Sequence, residues 1–216
     1  MSDALSHFDT WQLVALAAAL GFASGIRLYA VLFAVGLAGY LGLVDLPSGL
    51  HVLAHPLVLV ASGFMGFVEF FADKVPGVDT LWDLVHTLIR IPAGAALAAS
   101  VFGDSSSATM LAAAILGGSL AAGSHFTKTA SRAVINTSPE PFSNWAASFG
   151  EDVGVGGLLV LAALHPLIAG VVVLLLLVLA VVLLRHVLRA GRHVAGRLRG
   201  WFSRPAAKPR DAYRHP

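Results

Sequence analysis

Residues 69–90 read EFFADKVPGVDTLWDLVHTLIR and carry seven ionisable side chains within a very apolar chain. Glu69 and Asp73 are four residues apart, and the ionisable positions from Asp79 to Arg90 follow at intervals of four, three and four. These intervals place side chains on one face of a helix. Because apolar segments flank the stretch on both sides, it predicts two membrane helices joined by the turn KVPGV. Ionisable groups at membrane depth are costly, so these residues are candidates for a functional site.

The composition is that of an all-α integral membrane protein. Of the 216 residues, 57% are hydrophobic and 12% are charged, whereas a soluble domain has about 25% charged residues. Continuous apolar runs without alternation exclude a transmembrane barrel. The length suffices for about six helices of roughly 20 residues each. Cysteine is absent, which excludes disulfides and thiolate metal sites.

We divide the chain into one membrane domain, residues 1–190, and a basic cytoplasmic tail, residues 191–216. The tail interleaves arginines with Val, Leu, Trp and Phe. It predicts an interfacial helix on anionic membrane lipids, followed by a disordered end. We expect no nucleic-acid partner, and a chain of this size is compatible with a homodimer. The six predicted helices cover residues 12–42, 56–73, 80–103, 108–134, 144–164 and 166–189.

Lys and Arg alternate between the predicted connections. The first, third and fifth connections lack them, whereas Lys74 follows the second helix, and Lys128 and Arg132 close the fourth. Nine of the 14 basic residues lie from Arg185 onward. Since cytoplasmic loops carry the excess of Lys and Arg, the pattern predicts that both termini are cytoplasmic. The N-terminus lacks the positive region of a signal peptide, so we expect it to be uncleaved.

Two of the six helices are predicted to be broken. The first is too long for a straight crossing of a hydrocarbon core of about 30 Å, and it has Gly21, Gly25 and Arg27 at its middle. The third contains Arg90, with Pro92 two residues later. Proline removes a helical hydrogen bond and disfavours the helix before it. Both buried arginines would therefore lie beside irregular backbone.

A faint internal similarity links LGFASGIR at residues 20–27 with LAAGSHFT at residues 120–127. Two inverted three-helix repeats, at residues 12–103 and 108–189, would explain it, and such repeats are common in transporters. Chance similarity among helices rich in Ala and Gly is the interpretation that we favour.

Arg27, Arg90, Lys128 and Arg132 are the candidate substrate-binding residues. Arginine keeps its proton at accessible pH, so at membrane depth it needs an acidic partner, carbonyl groups, water or an anionic ligand. Internal ion pairs, for example between Arg27 and Glu69, are one interpretation. The other is a cavity for an anion such as phosphate or carboxylate, which Arg binds through two parallel hydrogen bonds.

The acidic residues admit two kinds of chemistry. Carboxylates carry protons in coupled carriers, and three of them, or two with a histidine, can hold a divalent cation. Helix capping and the helix dipole alone would account for Asp79 and Asp83. The predicted metal ligands are Asp73, Asp79, Asp83 and His86. The residues predicted to carry a coupling proton or cation are Glu69, Asp73, Asp83, His86, Glu151 and Asp152.

Three segments carry a resemblance to a known family. They are SGIRLY at residues 24–29, VEFFADKVPGVDTLWDLVHTLIRIPAGA at residues 68–95, and SPEPFSNW at residues 138–145, followed by an acidic pair at residues 151–152. Over residues 12–185 the chain resembles a bacterial membrane family catalogued as domain of unknown function number four-one-two-six. The resemblance implies a protein of the bacterial inner membrane. It implies no activity, and no functional residue is carried over.

Three functions fit these residues. We favour a small transporter or permease with a polar site for an anionic substrate, coupled to a proton or cation, because charged residues lie beside broken helices. The first alternative is an intramembrane enzyme that acts on a lipid or isoprenoid phosphate with a divalent cation. The second is a structural or assembly subunit, in which every buried charge is paired and no cavity remains. No established catalytic motif is present.

Overall fold

The chain folds into six α-helices and one short 3₁₀ helix. The computed structural model describes residues 9–75, 77–137 and 142–202, and it contains no strand in these ranges. The 3₁₀ helix is Ser48–Ala54. The α-helices are α1 (Thr10–Tyr40), α2 (Pro56–Ala72), α3 (Val78–Val101), α4 (Ser107–Ile135), α5 (Phe142–Leu164) and α6 (Pro166–Phe202). The predicted all-α membrane fold is confirmed.

Five of the helices are long and apolar enough to cross a membrane, namely α1, α3, α4, α5 and the part of α6 that ends at His186. α2 has only 17 residues. Together with the 3₁₀ helix, from which it bends by 69°, it makes a sixth candidate. α6 then continues as one helix to Phe202. The residues predicted to be disordered after Arg204 lie outside the described residues.

α1 reverses its direction at Arg27, whose backbone angles (φ −140°, ψ 75°) are not helical. Leu16 of the arm before Arg27 and Ala38 of the arm after it line the same cavity. In a straight helix with a rise of 1.5 Å per residue these two residues would lie about 33 Å apart. Both arms therefore run from Arg27 towards the same end of the bundle. The predicted break in the first helix is confirmed, and it is a reversal.

Packing contacts identify that end, which we call the far end. Gly36 of the second arm packs against the carbonyl of Leu53 in the 3₁₀ helix. Four residues earlier, Gly49 packs against the backbone of Ser100, close to the end of α3. Gly170, near the start of α6, packs against Ala15 in the first arm of α1. Both ends of α1 therefore lie beside the 3₁₀ helix and the α3–α4 and α5–α6 connections.

The opposite end, which we call the charged end, contains Arg27, the α2–α3 turn, the end of α4 and the start of α5. Leu183 of α6 lines a cavity there together with Lys128. The start of α1 and the C-terminal part of α6 therefore lie at opposite ends of the bundle. The predicted cytoplasmic location of both termini concerns residues that lie outside the described ranges. The reversal at Arg27 adds a pass through the bundle that the charges of the loops do not reveal.

The first arm of α1 packs tightly between α3 and α4. A Cβ atom on Gly21 would lie 2.6 Å from the Cα of Gly117 in α4, and one on Gly94 in α3 would lie 2.7 Å from the Oγ of Ser24 in this arm. Small residues allow helices to approach this closely. Because Gly21 lies beside Gly117 and the carbonyl of Ile26 lies beside Lys128, this arm and α4 run parallel. The inverted relation between the two halves is therefore not observed.

α3 continues through Pro92 without a break. The proline removes one hydrogen bond. The next turns are held against α4, where Gly94 and Ala98 pack on Gly117. The predicted break in the third helix is therefore wrong, because tertiary packing compensates for the single lost hydrogen bond.

Candidate functional site

The charged end holds a network of ion pairs, which we call the ion cluster. All five Lys and Arg residues that precede Arg185 belong to it. Its members are Glu69, Asp73, Asp79, Asp83, Glu151 and Asp152 on the acidic side and Arg27, Lys74, Arg90, Lys128 and Arg132 on the basic side. The cluster therefore contains every residue predicted to bind a substrate.

Arg27, at the tip of α1, contacts three carboxylates. Its Nη1 lies 2.7 Å from Asp73 Oδ2, its Nε lies 3.1 Å from Asp152 Oδ1, and its Nη2 lies 3.7 Å from Glu151 Oε2. Nη2 also donates to the hydroxyl of Ser148 at 2.8 Å. The suggested pair between Arg27 and Glu69 is not formed. The reversal of α1 presents the guanidinium to the end of α2 and to α5 instead.

α4 supplies donors to the carbonyl groups near the break in α1. Ser124 Oγ donates to the carbonyl of Phe22 at 2.7 Å, and Lys128 Nζ donates to the carbonyl of Ile26 at 3.2 Å. Backbone groups freed by a broken helix must find partners inside the protein. Lys128 Nζ also lies 2.5 Å from Asp73 Oδ2. It thereby connects the broken helix to the ion cluster.

Arg90 forms the second centre of the cluster. Its Nη2 lies 2.6 Å from Glu69 Oε1, and its Nη1 lies 2.7 Å from Asp83 Oδ1. All three side chains are buried, with at most 1% of each exposed. His125 Nδ1 lies 3.3 Å from Nη1, and its Nε2 lies 2.7 Å from the hydroxyl of Thr87. Asp83 therefore serves an ion pair, which corrects its interpretation as a helix-end acid.

Arg132 joins α4 to the start of α5. Its Nε and Nη2 lie 3.1 Å and 3.0 Å from the carboxylate of Glu151. Its Nη1 donates to the carbonyl of Asp73 at 3.0 Å and to the side-chain oxygen of Asn144. Lys128 Nζ lies 3.5 Å from Glu151 as well. Glu151 therefore contacts two basic residues of α4, Lys128 and Arg132.

Lys74 closes the cluster at the α2–α3 turn. Its Nζ lies 3.0 Å from the centroid of the Phe70 ring and 4.5 Å from that of Phe149, which is within the range of a cation–π interaction. The same atom donates to Ser148 Oγ at 3.2 Å and lies 3.7 Å from Asp152. Burial lowers the pKa of the Lys74 ammonium, and the charge of Asp152 acts against that change.

Asp79 and His86 lie apart from the centre of the cluster. Asp79 Oδ1 accepts hydrogen bonds from the amides of Gly77 and Thr80 at 2.9 Å and 2.7 Å. It therefore stabilises the first turn of α3, whereas the N-cap residue is Gly77. His86 stacks on the ring of Trp82 with 4.0 Å between the centroids. Its Nδ1 lies 2.8 Å from the carbonyl of the same Trp82. His86 is thus held by its own helix.

The predicted metal ligands do not converge. Asp73 is engaged by Arg27 and Lys128, and Asp83 by Arg90. Within the described ranges, no three Asp, Glu or His side chains are arranged to hold a metal ion. Of the four residues proposed as ligands, the three carboxylates lie beside basic side chains, whereas His86 stacks on Trp82.

Two cavities adjoin the ion cluster. One, of about 310 Å³, lies between α1, α2 and α5 and is lined by Arg27, Glu69 and Asp152 together with phenylalanines; we call it the α2 cavity. The other, of about 390 Å³, lies between α1, α4, α5 and α6 and is largely apolar, with Lys128 and Glu151 at its polar part; we call it the α6 cavity. Arg27 contacts the neighbouring carboxylates of Glu151 and Asp152, which line different cavities.

Sequence reasoning missed three contributors to the site. Lys74 was taken only as a loop charge, and His125 and Ser148 were not singled out. Ser124, Lys128 and Arg132 lie on one buried face of α4. His125 directly follows Ser124 and is buried beside that face. That face was visible as a spacing of four residues. No comparable signal marks Ser148, because its role depends on where Arg27 comes to lie.

The ion cluster lies within the part of the chain that matches a known protein family. The profile of a protein family matches residues 14–186, which include every member of the cluster. The chain belongs to that family, described as a domain of unknown function (DUF4126). The suspected family membership is thereby confirmed. No curated protein and no solved structure matches the chain. Membership of DUF4126 supplies no activity, so the function has to be argued from the ion cluster and its cavities.

Proposed function

We propose that the protein is a membrane permease that moves a small anion together with a proton, and that both bind at the ion cluster. The observation that carries this proposal is the charge balance of the cluster. Six acidic and five basic side chains pair with one another around the tip of a reversing helix. Ionisable groups at membrane depth mark ion and substrate paths.

Because acidic and basic side chains nearly balance in the cluster, an anion can bind there only when one of the carboxylates is protonated. Arg27 is shared by three carboxylates, so an incoming phosphate or carboxylate would be repelled by them. A proton on a carboxylate of the cluster removes one negative charge. The Arg27 guanidinium can then bind the anion through two parallel hydrogen bonds. When a monovalent anion such as dihydrogen phosphate enters together with one proton, the total charge of the cluster stays the same.

The remaining basic residues would hold the acidic side chains while Arg27 changes partners. Arg90 holds Glu69 and Asp83, whereas Lys128 and Arg132 hold Glu151. Together they keep most of the cluster neutral throughout the cycle. This assigns substrate contact to Arg27 and supporting roles to the other three.

We assign the charged end to the cytoplasmic side of the bacterial inner membrane. Lys74, Lys128 and Arg132 lie at this end, and α6 continues from it towards the basic residues that follow Arg185. The far end carries no Lys or Arg in its described connections. The excess of basic residues on one side supports this orientation.

A structural subunit is the second candidate, because all five basic side chains of the cluster are paired internally. A subunit that needs only rigidity has no use for open space beside its buried charges. The α2 and α6 cavities, of about 310 Å³ and 390 Å³, therefore favour the permease.

Proton uptake by reconstituted vesicles tests the proposal. Purified protein is placed in liposomes that contain a pH-sensitive dye, and inorganic phosphate or succinate is added outside. We expect each transported anion to acidify the lumen, and we expect Arg27→Gln to abolish the signal. Arg189→Gln, on the exposed surface of α6, is the matched control and should transport like the wild type. If neither anion acidifies wild-type vesicles, the proposal fails.

A further inference from the structure

We infer that Glu69 is the carboxylate that takes the coupled proton, and that the proton reaches it through the α2 cavity. This inference rests on the proposed function, which it deepens by naming one of the six acidic residues. It is argued from the hydrogen bonds of Glu69, from the cavity beside it and from the partners of the other acids.

Only one of the two Glu69 carboxylate oxygens is paired. Oε1 lies 2.6 Å from Arg90 Nη2, whereas Oε2 is buried and has no hydrogen-bond partner among the described residues. The side chain is 1% exposed. A buried charged oxygen without a partner is costly. Protonation of Oε2 removes the negative charge and lowers that cost, so this oxygen is suited to accept a proton.

The α2 cavity provides the route to Glu69. Its volume of about 310 Å³ has room for several water molecules, each of which occupies about 30 Å³ in the liquid. Its polar lining consists of Glu69, Arg27, Asp152 and Ser62. Water in this cavity would bring a hydronium ion to Glu69 beside the same Arg27 that is to bind the anion.

Four of the other five acids each contact more than one basic side chain. Asp73 contacts Arg27 and Lys128, and Asp83 contacts Arg90 and Lys128. Opposite charges stabilise the ionised carboxylate. Glu151 and Asp152 likewise have at least two basic neighbours each, namely Arg27, Lys128 and Arg132 for the first and Arg27 and Lys74 for the second.

Asp79 is the remaining acid and serves as a control. Its only basic partner is Arg132 at 4.0 Å among the described residues. Backbone amides and Asn136, which donates to both oxygens at 2.9 Å, satisfy the carboxylate. Asp79 lines neither the α2 nor the α6 cavity. Glu69 alone combines a single basic partner, an unpaired oxygen and contact with a cavity.

The proton step changes the charge that the anion meets. Oε2 of Glu69 takes a proton from hydronium, which leaves as water. Before this step the α2 cavity is lined by two negative charges, Glu69 and Asp152, and one positive charge, Arg27. Afterwards one negative and one positive charge remain. Arg90 keeps Asp83 as its carboxylate partner, so the helices stay connected while the anion approaches Arg27.

Carbodiimide labelling tests this assignment without any transport. Dicyclohexylcarbodiimide reacts with protonated carboxyl groups in apolar surroundings, and mass spectrometry locates the adduct. On purified wild-type protein in detergent we expect one main adduct, at Glu69, that decreases as the pH rises. Asp79→Asn should keep the adduct and Glu69→Gln should lose it. An adduct at another acidic residue, with none at Glu69, overturns the inference, and this result needs only the wild type.

Transport by Glu69→Gln separates the inference from the proposed function. We expect the accumulation of labelled phosphate or succinate that a pH gradient drives to fall at least tenfold in this variant. Arg189→Gln, which lies outside the ion cluster, should accumulate the same anions like the wild type. If the wild type moves neither anion, the proposed function fails. The labelling experiment then still tests whether Glu69 is the carboxylate that takes up a proton. If the wild type accumulates an anion and Glu69→Gln does so equally well, only the inference fails.

Discussion

At the residue scale, Arg90 illustrates how a permanent charge is kept at membrane depth. Its guanidinium is fully buried and donates to Glu69 and Asp83 at 2.6 Å and 2.7 Å. Each partner carries the opposite charge, so the three residues leave one excess negative charge, which faces Lys128 at 3.4 Å from Asp83. Buried charges persist where such pairing and hydrogen bonding are complete enough to offset desolvation.

Removing Arg90 alone should therefore destabilise the protein strongly. We expect Arg90→Leu to lower the free energy of unfolding by about 3–5 kcal/mol, because it leaves two buried carboxylates without their partner. Thermal unfolding in detergent, followed by circular dichroism, measures the change. As a control, Arg90→Leu combined with Glu69→Gln and Asp83→Asn should recover most of the loss. A single variant as stable as the wild type would contradict the ion-pair role of Arg90.

At the scale of the elements, the reversing helix α1 is what creates the site. Its tip places Arg27 against α2 and α5, and α4 binds the carbonyl groups near the break through Ser124 and Lys128. The arm before the tip is held against α4 by close contact between Gly21 and Gly117. The position of Arg27 thus depends on small residues that are remote from the charges.

A methyl group at this contact should disturb the tip. We expect Gly21→Ala to destabilise the protein by about 1–3 kcal/mol through overpacking, because the new Cβ would lie 2.6 Å from the Cα of Gly117. Gly157→Ala is the matched control: it lies within α5, and its Cβ would meet no atom within 4 Å. The measurement is the melting temperature of each variant, and we expect that of Gly21→Ala to be lower than that of Gly157→Ala. Equal melting temperatures would show that the α1–α4 contact is not close-packed.

At the scale of the whole molecule, the two ends differ in charge. All five basic residues before Arg185 belong to the charged end, whereas the far end exposes groups such as Leu43 and Trp11. Because α1 reverses at Arg27, the start of α1 lies at the far end. The C-terminal part of α6 lies at the charged end. The start of α1 and the C-terminal part of α6 should therefore face opposite sides of the membrane.

Cysteine labelling of intact cells can test this topology, since the chain has no cysteine of its own. We expect Trp11→Cys and Leu43→Cys to react with a membrane-impermeant maleimide added outside. Val75→Cys, on the exposed surface of the α2–α3 turn, should react only after the cells are opened. If Trp11→Cys and Val75→Cys become accessible under the same condition, the reversal of α1 is refuted.

Much of this architecture was readable from local patterns. Apolar composition and helical spacing predicted the helices between Thr10 and His186, and Gly25 with Arg27 marked the break in the first of them. Lys128 and Arg132 are four residues apart, which places them on one face of α4, and both contact Glu151. Such features depend on neighbours within one or two helical turns, which a sequence records directly.

The sequence by itself determined that charged residues would be buried among apolar helices, because ionisable side chains recur on helix faces within membrane-length segments. Only the tertiary structure decided their partners. Arg27 pairs with Asp73 and Asp152 because α1 reverses, and α3 passes Pro92 because α4 supports it. Both outcomes depend on the directions of helices that are distant in the chain. A pattern of local spacing contains no information about those directions.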